Sequence, residues 1–228
     1  MGETKDTTWS FYVIYTMKKN GLLALVAAGL ILASCGGKSS DNTTTTAEQE
    51  VAVATENVFA VDTTASVVKW KAFHKGGFAP RWGTLNVETG EISVLGDVVN
   101  AGSFVIDMQS LKVDPASVTE EGKKATDLEA HLKNADFFDV ENQKTAEFKI
   151  TKVEDLAEAP AKGVEGANKL LSGNLTLLGN TLNVSFPAKI DVTENAVSIL
   201  ADFTVDRAEW GIKFGTTEAD PAEWMISK

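Results

Sequence analysis

Positive charge and metal-binding side chains are scarce in this 228-residue chain. Lys and Arg number 21 against 32 Asp and Glu, a formal charge of −11. That balance disfavours a nucleic-acid partner, because no basic stripe is available to displace counterions from phosphates. It also argues against electrostatic docking on an anionic membrane surface. There are two histidines, His74 and His131, and one cysteine, Cys35. A structural zinc site wants four nitrogen or sulfur ligands, so neither metal nor cofactor is expected. No disulfide can close within the chain. The two tyrosines, Tyr12 and Tyr15, both precede the part expected to fold. The apolar run from Gly21 to Leu32 falls short of the ~20 residues a membrane-spanning helix needs.

That run is the right length for the core of a secretory signal. In "MKKNGLLALVAAGLILASC" (17–35) a basic start at Lys18 and Lys19 precedes it, and Leu32-Ala33-Ser34-Cys35 follows it. The tetrapeptide resembles the lipobox of bacterial lipoproteins, which implies cleavage before Cys35 and lipidation of its thiol and new amine. An ordinary secretory signal with an incidental cysteine is the alternative. The expected organisation is a signal peptide over 1–34, with Met17 the better start and 1–16 an over-long one. Residues 35–57 then form a lipidated cysteine and a flexible, Thr-rich spacer, and 58–228 the folded domain. Acyl chains on Cys35 would hold the protein to a membrane at roughly 0.8 kcal/mol per buried methylene. The expected location is the cell envelope, with the outer membrane, facing the periplasm, the preferred site.

Beyond Asn57 the apolar residues recur at every second position. "NAVSILADFTVDR" (195–207) aligns Val197, Ile199, Ala201, Phe203 and Val205 on one face, and "TLNVSFPAKIDV" (181–192) aligns Leu182, Val184, Phe186, Ala188 and Ile190. Leu171, Leu175 and Leu177 do so in 169–179, Phe104, Ile106 and Met108 in 102–110, Phe148 and Ile150 in 146–150, and Val68, Trp70 and Ala72 in 66–73. Each run predicts a strand with one apolar and one wet face. Gly179-Asn180 and Thr89-Gly90 read as tight hairpin turns. A long antiparallel meander with a single apolar face must stack into a sandwich or curl shut. One amphipathic helix is expected near Asp127–Asn134, where Leu128, His131 and Leu132 share a face. "VEDLAEAPAKGVEGANK" reads as a loop.

The helix runs into "HLKNADFFDV" (131–140), which sets Phe137 and Phe138 between two aspartates. Asp136 and Asp139 as an acid/base pair would need environments that split their pKa values, and no nucleophile or ligand pattern joins them. The preferred reading has Asp136 capping or ending backbone turns while the two rings bury, at roughly 1.5–3 kcal/mol each.

"GSFVIDMQSLKVD", "LEAHLKNADFFDVENQKTAEFKIT", "LSGNLTLLGNTLNVSFPAKI" and "FTVDRAEWGIKFG" occur in the order and spacing of the YceI-like family, which residues 58–215 resemble. The chain departs from the family at Lys144, where a proline is usual, and in "HKGGFAPRWGTL", which matches only in outline. The resemblance implies an all-β, eight-stranded antiparallel, lipocalin-like barrel with one short helix near its mouth. It implies an interior holding a long isoprenoid lipid, such as a polyprenol or prenyl quinone, and no catalytic residues. On that basis the ligand-contacting set is Trp70, Phe104, Ile106, Met108, Phe137, Phe138, Phe148, Ile150, Leu175, Leu177, Leu182, Val184, Phe186, Ile199 and Phe203. No charged residue lies on these faces, so the guest should be uncharged.

Periodicity alone does not separate a hollow barrel from one filled by side chains. Two alternatives to a carrier therefore stay open: an envelope enzyme using His74, His131 or Arg207 in the barrel, and a structural lipoprotein with a solid core. Arg207 is expected to pair with Asp206, Glu209 or strand-end carbonyls, and His131 to be a hydrogen-bonded interface residue. His74 with Trp82 could meet a polar headgroup at the rim. Homodimerisation is left open.

Overall fold

The computed structural model describes residues 8–13, 38–40, 42–55, 57–73, 79–156, 158, 160 and 162–215. Of the expected signal peptide 1–34 only residues 8–13 are among them, as a strand; the rest of it, Cys35 and His74 lie outside them. The strands are β1 (Thr8–Val13), β2 (Lys38–Ser40), β3 (Thr43–Ala47), β4 (Val58–Ala60), β5 (Ser66–Ala72) and β6 (Arg81–Leu95). They continue as β7 (Val98–Val113), β8 (Thr145–Asp155), β9 (Lys169–Leu177), β10 (Asn180–Val192) and β11 (Val197–Thr204). One helix, α1 (Ala125–Lys133), and two 3₁₀ turns, Pro115–Ser117 and Arg207–Trp210, complete the described elements.

The protein is all-β and antiparallel. Neighbouring strands pair in sequence order from β5 to β11, as alternating apolar faces joined by short connections dictate. β1 pairs β5 on one side and β11 on the other. The β9–β10 hairpin turns at Leu178-Gly179, one residue earlier than expected. Both residues have positive φ, 50° and 72°, the geometry of the primed turn that matches strand twist.

Thr89-Gly90 is not a turn. Both residues lie inside β6, opposite Val105 and Phe104 of β7. The ladder slips between Thr84 and Asn86, Val87 and Thr89, and Ser93 and Val94. Each slip resets the two-residue period, so Leu85 and Val87 alternate but Ile92, Ser93 and Val94 are buried in succession. A 15-residue strand with three irregularities presents no continuous alternation, and this is why the period missed it.

Composition also misjudges part of the spacer, for residues 42–55 are not a flexible stretch. β3 lies along Leu182–Ser185 of β10. The Thr43 hydroxyl, 1% exposed, accepts from the Thr204 amide, and Asn42 Nδ2 donates to the Asp202 carbonyl at 2.7 Å. Asn174 on β9 then holds Gln49 at two points, accepting from its amide at 3.0 Å and donating to its carbonyl at 2.7 Å. The Ala52 amide reaches Ile150 of β8, Asn100 of β7 donates to Val53, and the Thr55 amide donates to Ser93 of β6. The segment is a strap over the polar side of the sheet. Its backbone groups find partners on five strands, and polarity in the sequence signalled that contact as well as it would signal solvent.

α1 begins two residues before the expected start and packs on β7. Glu129 accepts from Lys112 of β7 at 2.9 Å and from Lys133 one turn on at 3.2 Å. Phe137 and Phe138 follow in a tight return secured by Phe138 N–H to Leu132 O and Val140 N–H to Lys133 O. The loop expected across "VEDLAEAPAKGVEGANK" starts after Asp155, where β8 ends, and no helix occurs among its described residues.

Candidate functional site

The apolar faces of β5–β11 converge on one core. Among the described residues, two voids in it are lined by apolar side chains alone. The larger, about 50 Å³, is lined by Val68, Val87, Phe104, Ile106, Phe148, Leu171, Phe186, Ile199, Ala201 and Phe203. The smaller, about 20 Å³, lies toward the α1 end among Val68, Leu85, Ile106, Met108, Ala146, Leu175, Leu177 and Val205. Val68 and Ile106 border both. At the end away from α1, Ile92, Val94, Val99, Ile150, Ile190 and Val197 are 0–5% exposed and border neither void.

Four phenylalanines cross the larger void. Phe104 faces Phe148 across the β7–β8 ladder with centroids 6.2 Å apart, and Phe148 lies 5.8 Å from Phe186. Phe186 stacks on Phe203 at 3.9 Å with planes 3° apart. Such contacts contribute about 0.5–1.5 kcal/mol beyond area burial. The row is possible because β9, between β8 and β10, offers glycine at position 173.

A second aromatic group covers the α1 end. His131 meets Phe137 and Phe214 edge-on, at 5.2 and 4.7 Å, and Phe137 and Phe214 lie 5.1 Å apart. Asp136 does not cap a backbone turn: its carboxylate sits 3.0 Å from His131 Nε2, and the pair orients the ring. Asp139 accepts instead from the Asn142 side chain. Arg207, 4% exposed, donates to the carbonyls of Ile212 at 3.1 Å and Phe214 at 2.8 Å, with its guanidinium 5.5 Å from the Phe137 ring centroid. Burial pulls its pKa down to about 10, with Asp206 acting the other way, so it stays charged at neutral pH. Trp210, fully buried, donates from Nε1 to Leu175 O at 2.9 Å and fixes this segment over β9. Among the described residues no cluster of His, Cys, Asp or Glu could hold a metal ion.

Of the interior set expected from sequence, Phe104, Ile106, Phe148, Phe186, Ile199 and Phe203 border the larger void. Met108, Leu175 and Leu177, again with Ile106, border the smaller. Trp70, Phe137, Phe138, Ile150, Leu182 and Val184 border neither. Trp70 donates to Lys112 O at 3.2 Å, Phe137 belongs to the end cover, and Leu182 is only partly buried, beside the strap. Sequence reasoning passed over Leu85 and Val87 because their strand was hidden. Ala146 lies one alternation before Phe148 and was readable from that strand. Val68, Leu171, Ala201 and Val205, on the expected inner faces but outside the expected ligand set, border the voids as well.

An antiparallel all-β sheet defines the class: a β protein whose core voids are lined by apolar side chains alone. The YceI-like domain model matches residues 59–228, and the chain belongs to that family. The family is associated with polyisoprenoid binding and is in general one of binding proteins rather than enzymes. A comparison with curated proteins returns no match.

Proposed function

We propose that this protein is a non-catalytic carrier of a long, uncharged isoprenoid lipid, held in the bacterial envelope through a lipidated Cys35 and facing the periplasm from the outer membrane. The observation that carries the proposal is the chemistry of the two voids, in which every lining residue is apolar. Family membership supports the isoprenoid class. The sheet is read as an eight-stranded lipocalin-like barrel. In support, β5–β11 turn far enough that a single strand, β1, pairs both outer strands. β1 lies upstream of the proposed cleavage at Cys35, so the eight-strand count belongs to the uncleaved chain, and the processed form keeps seven of these strands with β5 and β11 one strand apart. The spacing of Lys18, Lys19, the 21–32 run and Cys35 supports export and lipidation.

Mass spectrometry of an organic extract of the purified domain tests the carrier reading. A prenyl lipid stoichiometric with protein is expected. A domain that yields none and takes up no added prenol is not a carrier. Intact mass of the membrane-extracted protein tests the anchor separately, and Cys35→Ser should abolish the lipid adduct.

The size of the voids favours a second reading, a structural lipoprotein with a side-chain-filled interior. About 50 Å³ admits a few water-sized probes and no extended hydrocarbon. The carrier reading therefore requires side chains to swing away when the guest enters.

A further inference from the structure

We propose that Gly173 and Phe148 form a gate that sets how deep a hydrocarbon chain can reach into the interior; this rests on the carrier reading. Gly173 stands on β9 beside Ile150 of β8 and Val184 of β10, in a row that otherwise projects Leu171, Leu175 and Leu177 into the core. A Cβ at 173 would lie 2.3 Å from Cζ of Phe148 and 2.7 and 2.8 Å from its Cε atoms. The tip of the ring thus rests on the bare backbone of β9.

Parked there, the ring lies between Phe104 and Phe186 and borders the larger void. Its neighbour one alternation toward α1 on the same strand, Ala146, borders the smaller void. Phe148 is therefore the bulky inner side chain of β8 at the step between the two, and Ile150, one alternation deeper, belongs to the solid floor. A chain arriving from the α1 end meets the smaller void, then the Phe148 ring, then the larger void, then the floor. Because Gly173 has no side chain, the ring can lie against the wall of the sheet. With a side chain at 173 the ring must project into the core. The pair thus decides whether two small voids act as one channel.

Titration of the purified chain with farnesol, geranylgeraniol and solanesol, each competing against the fluorescent probe N-phenyl-1-naphthylamine, tests the assignment. In Phe148→Ala the longer prenols should gain about tenfold or more in affinity while farnesol changes little, since only the longer chains gain new buried methylenes. In Gly173→Ala affinity should stop rising at a shorter chain. The double variant Gly173→Ala/Phe148→Leu removes the clash if the single variant does not fold, and it should regain the longer-chain preference. An unchanged length profile in Phe148→Ala would overturn the gate while leaving the carrier intact. A wild-type protein that displaces no probe with any prenol overturns the carrier reading, and the gate with it.

Discussion

Arg207 is a buried cation whose guanidinium donates to two backbone carbonyls. Replacing it leaves the Ile212 and Phe214 carbonyls short of a donor and removes a cation beside the Phe137 ring. Arg207→Leu should lower unfolding free energy by about 2–4 kcal/mol, since hydrogen bonds to charged groups contribute about 1.5–3 each and part is recovered by burying leucine. Urea denaturation measures this, and a midpoint equal to wild type would show the guanidinium to be dispensable. Glu129 supplies a pH dependence. Burial alone would raise its pKa, but hydrogen bonds from Lys112, Lys133 and the Val113 amide outweigh burial and hold it below 4.5. A carboxylate with a lowered folded pKa contributes stability that is complete above the unfolded value and lost as pH falls through the folded one. Glu129→Gln should therefore be less stable than wild type near neutrality, with the gap closing as the pH drops below about 4.5. A gap that stays constant down to acid unfolding would contradict the assignment.

Among the elements, the strap over residues 42–55 has the largest consequence for how the domain is bounded. Its amides are tied to strands far along the chain, and its best-held point is the two-point bond between Gln49 and Asn174. Asn174 also accepts from Asn183, which is 4% exposed and donates further to Thr151. Asn174→Leu keeps the size and strands these partners. A loss of about 1–3 kcal/mol is expected, with faster hydrogen exchange at Gln49 and Ala52. Exchange that matches wild type across 42–55 would mean the strap is held elsewhere. Hydrogen-bonded structure therefore extends upstream of residue 59, where the family match starts, at least to Asn42.

For the molecule as a whole, the decisive place is the β5–β11 seam. β1 supplies the pairing partner for Ser66–Trp70 and for Ile199–Thr204. Val68, Ile199, Ala201 and Phe203 on those same strands border the larger void, so the seam lies beside the cavity. A chain beginning at Gly36 lacks β1, and the edges it covered stand about two strand spacings apart, near 10 Å. Amides of 66–70 and 199–204 should then exchange faster than in the full chain, by mass spectrometry of deuterated peptides. Equal protection in both chains would show that β5 and β11 pair directly and that β1 is not a stave.

The amino-acid sequence by itself determined the all-β class, six of the strands and the helix, because alternation and helical spacing are local patterns that a sheet face or a helix face must satisfy. It also determined that the inward strand faces carry no charge, since residues two apart on a strand share a face. Tertiary structure decided the rest. β6 became a strand through pairing across three slips that erase its period. The Thr-rich segment became a strap because its partner Asn174 lies 125 residues away. The width of the interior depended on where the Phe148 ring comes to rest, and that was settled by the missing side chain at Gly173 on the next strand. Periodicity assigns a residue to a face; how much space remains between the faces is a matter of packing between distant parts of the chain.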